Sequence, residues 1–472
     1  MSDTQHGAPL ASPPAPADAS PPTRADLLLH FQRGCKPVAA RRIGLEHEKI
    51  GVVVQSNGRV RPLPYADAEG QPQIRSLLSG LQGHGWEPVT QGGVDGAVIA
   101  LKRKKASVTL EPGGQFELSG PPVDTDVAAV EDLNAHLRDL LPLSDAMGVA
   151  FIGCGFRPLG TWADVPWVPK GRYGIMREYL PTRGSMGVEM MKRTATVQAN
   201  LDYTDEADAI AKLRMSIAVG PLVTALFAAS PLRDGKPCDH KSIRAACWLD
   251  TDNDRCGTLP FLFRDGAGFA DYMEWALDVP MFFVYRHGRY MPAGGTTFRQ
   301  FLAQGFHGET ATMADWELHL STLFPDSRLK QYIELRTADA GPLSTVRALA
   351  PLWRGLFYCD QAQAAAWDLV RDHTLEEREI LRRDVARLGM AAQLRGRPIA
   401  PLCGQLVEIA RAGLAWVAAT DEGPGAAASV ALLDPLREYA AAGRCPADDI
   451  LDAFQAAAGD DAKFVDSLRL RV

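Results

Sequence analysis

Two short segments have the residues for metal chemistry, because each places carboxylates in a sequence typical of a strand. One is Gly-Leu-Glu-His-Glu-Lys, which holds Glu46 and Glu48, and the other is Leu-Glu-Pro-Gly-Gly-Gln-Phe-Glu, which holds Glu111 and Glu117. Alternate side chains of an extended strand share a face, so Glu46 and Glu48 point the same way. The Pro-Gly-Gly between Glu111 and Gln115 predicts a tight turn. We therefore expect the four carboxylates to lie on neighbouring strands.

Carboxylates that converge in this way repel one another. Two unit charges ~4 Å apart at an effective dielectric of ~20 repel by ~4 kcal/mol, and four charges make several such pairs. Bound cations remove the repulsion, and a shell of oxygen ligands favours Mg²⁺, Mn²⁺ or Ca²⁺ over zinc. The pattern indicates chemistry on phosphates.

Polar and apolar residues alternate in two further segments, Thr194–Asp202 and Tyr332–Arg336. Each alone is typical of a sheet with one solvated face. Their polar positions hold Glu, Gln, Asn and Arg, however, and together they indicate a curved sheet whose concave polar face lines a substrate cavity.

The surrounding elements predict an α+β fold, a curved antiparallel sheet covered by helices with a helical C-terminal region. The irregular, Pro- and Gly-rich stretch 161–192 predicts a long functional or disordered loop. The predicted organisation is a disordered arm over 1–23, a catalytic α+β core over 24–342, and a helical cover over 343–472 that packs as part of the same catalytic unit.

Composition excludes several classes of protein. The chain has a net charge of -7, which argues against non-specific nucleic-acid binding. Its eight cysteines form no Cys-x-x-Cys pair and no disulfide framework, which fits a reduced cytosol. The uncharged run 215–232 approaches membrane length, but Gly220-Pro221 interrupts it, so we expect a buried helix and no membrane partner. These features predict a cytoplasmic protein.

Familiar nucleotide and metal motifs are absent from the sequence. Neither a Walker loop nor a Gly-x-Gly-x-x-Gly fingerprint occurs, and Glu-His-Glu is not the zinc-peptidase motif. The segment that starts at Asp250 resembles a calcium loop, but Arg255 replaces its glycine and Phe261 its final glutamate. What remains is a carboxylate-lined sheet that binds ATP through Mg²⁺ and needs no phosphate loop.

Taken in order along the chain, the motifs resemble those of the plant-type glutamate–cysteine ligases. The resemblance covers roughly residues 40–460. Besides the two carboxylate segments, it includes Pro-Lys-Gly-Arg-Tyr at 169–173, Met-Met-Lys-Arg-Thr-Ala-Thr-Val-Gln-Ala-Asn-Leu-Asp at 190–202, Trp248 to Arg255, Ala-Leu-Asp-Val-Pro-Met at 276–281, Thr-Phe-Arg-Gln-Phe-Leu at 297–302 and Tyr-Ile-Glu-Leu-Arg at 332–336.

This resemblance implies a glutamine-synthetase-like half-funnel and an ATP-dependent ligase. The expected reaction joins the γ-carboxylate of glutamate to the amine of cysteine through a γ-glutamyl phosphate, the first step of glutathione biosynthesis. The implied cofactor is Mg²⁺, with Mn²⁺ as its substitute, and ATP is a co-substrate. The implied partners are these small molecules, and we expect a monomer or a weak homodimer.

The resemblance also implies roles for individual residues. The metal shell is Glu46, Glu48, Glu111, Glu117 and Glu334, with Gln198. The catalytic residues are Arg336, Glu334 and Arg244. The nucleotide contacts are Asn200, Arg336 and Lys170. The substrate contacts are Arg172, Tyr173, Arg244 and Trp248.

Two alternatives remain at this stage: a ligase of the same fold with a different amine acceptor, and a non-catalytic binding protein on a ligase scaffold. The sequence also departs from the plant pattern, because no cysteine precedes the Thr-Phe-Arg-Gln-Phe-Leu segment closely. We therefore predict no plant-style disulfide switch, and the dimerisation tied to it is in doubt.

Overall fold

One long strand, Ile43–Val54, organises the fold. The computed structural model describes residues 21–91, 96–420 and 426–472. The predicted disordered arm over 1–23 therefore lies outside the described residues, apart from 21–23.

Strands and helices alternate irregularly along the chain. The strands are β1 Ile43–Val54, β2 Val60–Pro62, β3 Glu87–Gln91, β4 Ala97–Arg103, β5 Ala106–Leu110, β6 Phe116–Ser119, β7 Val149–Ile152, β8 Val197–Leu201, β9 Leu232–Arg233, β10 Lys236–Pro237, β11 Cys256–Gly257, β12 Phe283–Arg286, β13 Arg289–Pro292, β14 Phe324–Pro325, β15 Ser327–Leu329, β16 Ile333–Leu335, β17 Gln393–Leu394 and β18 Arg397–Pro398. The α-helices are α1 Arg24–Gln32, α2 Ile74–Gln82, α3 Asp126–Ala146, α4 Gly171–Tyr179, α5 Gly187–Arg193, α6 Glu206–Phe227, α7 Ile243–Leu249, α8 Phe269–Asp278, α9 Phe298–Gln304, α10 Met313–Leu320, α11 Leu343–Phe357, α12 Asp360–Asp368, α13 Leu375–Leu388, α14 Ala400–Thr420, α15 Ala426–Ala431, α16 Asp434–Ala442, α17 Pro446–Ala457 and α18 Asp461–Leu468.

The main sheet is antiparallel throughout the part of the chain that the structure describes. Its strand order is β15-β16-β8-β1-β6-β5-β4-β3, and β2 and β7 pair with the second half of β1. The first half of β1 lies between β8 and β6. Helices α3 and α11 pack against β1, on the side of the alternating buried residues Leu45, His47 and Lys49. The predicted α+β fold, an antiparallel sheet covered by helices, is confirmed.

The predicted loop over 161–192 is wrong for about half of its length, because this stretch contains α4 and α5. Tyr173 and Met176 lie one helical turn apart and are both buried, so packing of this face stabilises α4. Pro169 precedes the helix and Pro181 follows it. The prolines therefore flank the helical segment and do not interrupt it.

Two helices, α6 and α14, are long and apolar enough to cross a membrane by length and composition. In α6 89% of the most apolar window is buried inside the protein, against 44% in α14. The uncharged run noted in the sequence thus begins in a buried helix.

The C-terminal helices contact the sheet directly. Helix α11 packs on β8 as well as on β1. On α11, Arg354 makes a buried ion pair with Asp126 at the start of α3, with 2.7 Å between Nη1 and Oδ1. Just beyond α11, the Tyr358 hydroxyl donates to the Arg42 carbonyl oxygen at 2.6 Å. These contacts support our proposal that 343–472 belongs to the same unit as 24–342.

Helices α11 and α14 approach so closely that their contact requires glycine. A Cβ atom on Gly413 of α14 would lie 2.3 Å from the Gly355 carbonyl oxygen and 2.6 Å from the Ala362 Cβ. Gly404, on the same helix, has no neighbour closer than 3.9 Å, the Ala440 Cβ.

We predict that Gly413→Ala lowers the free energy of unfolding by about 1–3 kcal/mol, because the added methyl group forces α11 and α14 apart. The matched control Gly404→Ala should leave stability unchanged or raise it by up to about 1 kcal/mol, because alanine favours the helix. Urea denaturation of both variants measures the difference. Equal stability of the two variants would contradict the close helix contact.

Candidate active site

Pairing of β1 with its two neighbours places acidic and amide side chains on one face of the sheet. Glu46 lies directly opposite Gln198 of β8, and Glu48 lies directly opposite Glu117 of β6. Directly opposed residues have Cβ atoms about 4.5–5.5 Å apart. Glu46 and Glu48 thus share one face of the sheet, as predicted, and Gln198 and Glu117 lie on that same face.

The turn between β5 and β6 brings Glu111 to the same face. The Glu111 N–H donates to the Gln115 carbonyl oxygen at 3.0 Å, and Gly114 adopts a φ of 81°. The Gln115 side chain fixes the turn, because its Oε1 accepts from the Gly113 N–H at 3.0 Å and its Nε2 donates to the Thr194 carbonyl oxygen at 2.7 Å. Gln115 therefore supports the site from the turn.

A cavity of about 120 Å³ lies over this face. The predicted site residues that line it are Glu46, Glu48, Glu111, Glu117, Gln198, Glu334, Arg336, Arg172, Tyr173 and Trp248. Its apolar wall is formed by Met176, Met190, Met191, Phe283 and Phe324. Of the predicted site residues, Asn200, Lys170 and Arg244 are not among those that line it.

The carboxylates are held close enough for each to raise the pKa of the next. Burial, and then the charges of Glu111 and Glu117, raise the pKa of Glu48 well above its usual value. Burial, followed by Glu111 and Glu46, raises the pKa of Glu117 to about 8. Burial and Glu334 likewise raise the pKa of Glu46. The metal-free site therefore holds protons that a bound cation would displace.

Glu334 has the opposite environment, because three cations surround it. Arg328 Nη2 lies 2.6 Å from Glu334 Oε2, Arg336 Nη1 lies 2.9 Å from the same oxygen, and Lys330 Nζ lies 3.5 Å from Oε1. Burial acts to raise the pKa of Glu334, but the charges of Arg328, Lys330 and Arg336 outweigh it and lower the pKa. Glu334 thus stays ionised, and its ion pairs already neutralise its charge without a metal ion.

A chain of hydrogen bonds connects the two groups of charges. Arg336 Nη1 donates to Gln198 Oε1 at 2.8 Å, and Gln198 Nε2 donates to Glu46 Oε2 at 3.2 Å. Asn200 Nδ2 donates to Glu46 Oε1 at 2.8 Å. The fully buried Asn200 therefore orients Glu46.

Arg244 and Trp248 lie where α7 meets the cavity. Both line a neighbouring cavity of about 40 Å³, which shares Trp248, Phe324 and Arg336 with the larger one. Arg244 Nη2 donates to the Arg336 carbonyl oxygen at 2.8 Å, and its Nη1 lies 3.7 Å from Asp339 Oδ1. Arg244 thus contacts the backbone of Arg336 and faces the side cavity.

Helix α4 covers the acidic end of the cavity. Lys170 Nζ and the Tyr173 hydroxyl both donate to the Leu110 carbonyl oxygen at 2.7 Å, next to Glu111. Burial, and then the charge of Arg172, lowers the pKa of Lys170 to about 8. Lys170 and Tyr173 fix α4 to β5, while the Arg172 side chain reaches the cavity.

The donor set suits a hard divalent cation that also binds a ligand. In the described ranges, no three His, Cys, Asp or Glu side chains converge closely enough to hold a metal ion by themselves. Mg²⁺ does not need such a cage, because it binds through one or two carboxylates together with substrate phosphates and water. Pairs such as Glu48 and Glu117 fit that requirement.

Sequence reasoning did not identify Arg328 and Lys330, two of the three cations around Glu334. Arg328 lies on β15 directly opposite Glu334 of β16. The sequence feature that could have indicated them is the short segment Arg-Leu-Lys-Gln-Tyr-Ile-Glu, in which a tight turn would place Arg328 opposite Glu334. Three residues of strand are too few to show a period.

Comparison with known proteins gives one consistent family. Residues 42–467 match glutamate-cysteine ligase family 2. The chain is 42% identical to the chloroplastic glutamate–cysteine ligase of Arabidopsis thaliana over 451 residues, 94% of this chain and 83% of the relative. It is 43% identical to glutamate–cysteine ligase B of Oryza sativa subsp. japonica over 415 residues, 86% of this chain and 81% of the relative.

A solved structure shares the fold at much lower sequence identity. It is the glutamate–cysteine ligase of Francisella tularensis in complex with AMP, with a TM-score of 0.56 and 12% identity. The match covers 92% of this chain and 88% of that chain.

The predicted cytoplasmic location is contradicted by these comparisons. The relatives from Oryza sativa, Medicago truncatula and Arabidopsis thaliana are named chloroplastic, which does not agree with a cytoplasmic location. Composition and cysteine spacing carry no information that separates these two compartments.

We predict that Glu117 contributes a loss of stability to the metal-free protein as pH rises from about 4.5 to about 8. The pKa of Glu117 is about 8 in the folded chain, against the ordinary 4.5, so the folded state retains a proton that the unfolded state has released. Urea denaturation in the presence of a chelator measures this slope. Glu117→Gln should flatten the slope, whereas Glu178→Gln, an exposed control on α4, should not. Equal slopes for wild type and Glu117→Gln would contradict the repulsion argument.

Proposed function

Because this chain belongs to glutamate-cysteine ligase family 2, we propose that it is an ATP-dependent ligase that joins the γ-carboxylate of L-glutamate to the amine of L-cysteine. This reaction is the first step of glutathione biosynthesis. The observation that carries the proposal is the cavity over β1, where five acidic side chains meet Arg336 within the matched region.

The reaction needs an activated carboxylate, because a carboxylate is a poor electrophile. A γ-carboxylate oxygen of glutamate attacks the γ-phosphorus of ATP, the bond to the ADP oxygen breaks, and γ-glutamyl phosphate forms. The cysteine amine then attacks the acyl carbon, loses a proton and displaces phosphate. Negative charge accumulates first on the phosphoryl group and then on the tetrahedral oxyanion, so the site must supply positive charge.

Mg²⁺, or Mn²⁺ in its place, fits the acidic side of the cavity. One or two carboxylates from the set Glu46, Glu48, Glu111 and Glu117, with Gln198 beside them, would hold an ion together with the substrate phosphates. When bound, the ion supplies positive charge that stabilises the phosphates of ATP. The raised pKa values of Glu48 and Glu117 support this assignment, because their repulsion is relieved when a cation binds.

The chain itself supplies positive charge on the opposite side of the cavity. Arg336 and Arg328 line the cavity, and both are held by Glu334. We assign Arg336 to the transferring phosphoryl group, with Glu334 fixing the direction of its guanidinium. Asn200 contributes through Glu46, which it orients, and Lys170 through the position of α4.

The residues on the remaining walls of the cavity are suited to contact the substrates. Arg172 and Tyr173 lie beside Glu111, and Trp248 lies beside Arg336. The Arg336 guanidinium lies 5.6 Å from the centroid of the Trp248 ring. We propose that Arg244 and Trp248 recognise the amino-acid end of glutamate, because a buried guanidinium that has only a distant carboxylate partner can bind an α-carboxylate.

We predict that the protein incubated with ATP, Mg²⁺, glutamate and cysteine forms a γ-glutamylcysteine product, ADP and phosphate. Mass spectrometry identifies the product, and parallel incubations with other amino acids test the acceptor. Product with another amine but none with cysteine would reassign the acceptor. No product with any amine would refute the ligase function.

We predict that Glu48→Gln lowers turnover by about 100-fold or more, since even residues that only orient metal ligands cost about 10–100-fold. Excess Mg²⁺ should restore part of the loss, because the neutral amide weakens metal binding. The exposed control Glu178→Gln should keep wild-type turnover. Turnover of Glu48→Gln equal to that of the control, with both proteins folded by circular dichroism, would remove Glu48 from the metal shell.

A further inference from the structure

A third cavity, of about 400 Å³, lies where the second half of β1 pairs with β2 and β7. It shares no lining residue with the catalytic cavity. We propose that this basic cavity, defined by Arg59, Arg61 and Arg157, is a binding site for a small organic oxyanion that carries phosphate or carboxylate groups.

Arg157 is the residue that indicates an anion. It is 2% exposed, and the only hydrogen bond of its side chain among the described residues runs from Nη1 to the Gly51 carbonyl oxygen at 3.3 Å. Its Nε has no partner. Burial lowers the pKa of Arg157 to about 10, and the positive charge of Arg193 acts in the same direction. A buried guanidinium in this state lacks the counter-charge that normally offsets its loss of water.

Other buried arginines of this fold are paired. Carboxylates lie within 3.2 Å of the guanidinium in Arg193, Arg255, Arg328 and Arg354. The partner of Arg244 is more distant, because Asp339 lies 3.7 Å from its guanidinium. No carboxylate of the described residues lies within 4 Å of Arg378, but its guanidinium lies over the rings of Phe263 and Trp367. Arg157 has neither kind of partner and instead lines a cavity.

Two further arginines add positive charge at the rim. Arg59 is exposed, and Arg61 makes an ion pair with the partly exposed Asp67 at 3.0 Å. Such pairs contribute little in water, so an anion can compete for Arg61. Asp164 also lines the cavity, but its Oδ2 already accepts hydrogen bonds from the Thr161 N–H and hydroxyl. The cavity therefore has three positive charges and one negative charge.

The shape and walls limit the class of ligand. Arginine presents planar N–H groups that match phosphate and carboxylate oxygens. Val52, Ile152 and Val465 form apolar walls, which suit a carbon body behind the anionic group. The volume lies within the ~300–1,000 Å³ typical of small-molecule sites. An inorganic ion alone would fill a small part of this space.

The test compares inorganic phosphate and citrate with chloride at constant ionic strength, using the full-length protein without substrates. We expect both oxyanions to raise Tm and to slow amide hydrogen exchange in 51–62 and 157–164. The exchange readout separates this cavity from the catalytic one, which lies over other segments. Protection by phosphate alone would assign a phosphate-bearing ligand, and protection by citrate alone a carboxylate-bearing one. No protection of these segments by either anion would overturn the proposal.

Arg157→Met is the decisive variant, because methionine keeps the apolar length and removes the charge. We expect anion binding to weaken at least tenfold, while Tm in chloride stays equal or rises. The matched control Arg378→Met should lower Tm in chloride and keep the anion-dependent protection. Should Arg157→Met not fold, Arg61→Gln at the rim gives the second test, with weaker binding expected. Unchanged anion binding in a folded Arg157→Met, or in Arg61→Gln where only that variant folds, would overturn the proposal.

Discussion

Repulsion among buried carboxylates is the constraint on which the rest of this structure depends. Glu48 and Glu117 face each other across two paired strands, and Glu46 lies one step along the same face. The sheet fixes this spacing, because its register determines which side chains are opposed. The many hydrogen bonds between the strands outweigh the repulsion of a single pair. The protein balances the charge on one side only, through the three cations around Glu334. On the other side, the charges of Glu46, Glu48 and Glu117 are balanced only when a cation binds.

Strand β1 connects this electrostatic arrangement to the remaining elements. One of its faces presents Glu46 and Glu48, and its other face is covered by helices α3 and α11. The C-terminal helices lie far from the carboxylates in sequence, yet they hold the sheet from behind, through the buried pair of Arg354 with Asp126 and the glycine contact of α11 with α14. The precision of the acidic face therefore rests on packing in the helical layer.

Sequence reasoning predicted the parts of the site that depend on local periodicity. The shared face of Glu46 and Glu48 follows from the two-residue period of a strand, and the turn before Gln115 follows from Pro-Gly-Gly. Arg328 was missed because its strand is too short to show a period, and α4 was missed because its stability comes from burial of Tyr173 and Met176. Asn200 behind Glu46 could not have been placed without the pairing of β1 with β8. Tertiary contacts decided each of these cases.

The pairing pattern of β1 also constrains how the chain folds. β1 meets β2 within a few residues, but its partner β8 lies about 150 residues later, where Gly44 is opposite Asn200. β8 in turn pairs with β16, which carries Glu334. Contacts of such long sequence separation form late, because the loops that they close cost entropy before the contacts stabilise them. On a growing chain, β1 must therefore remain partly unpaired until β8 has been made, about two fifths along the chain, and this interval is when its apolar residues are most exposed to aggregation.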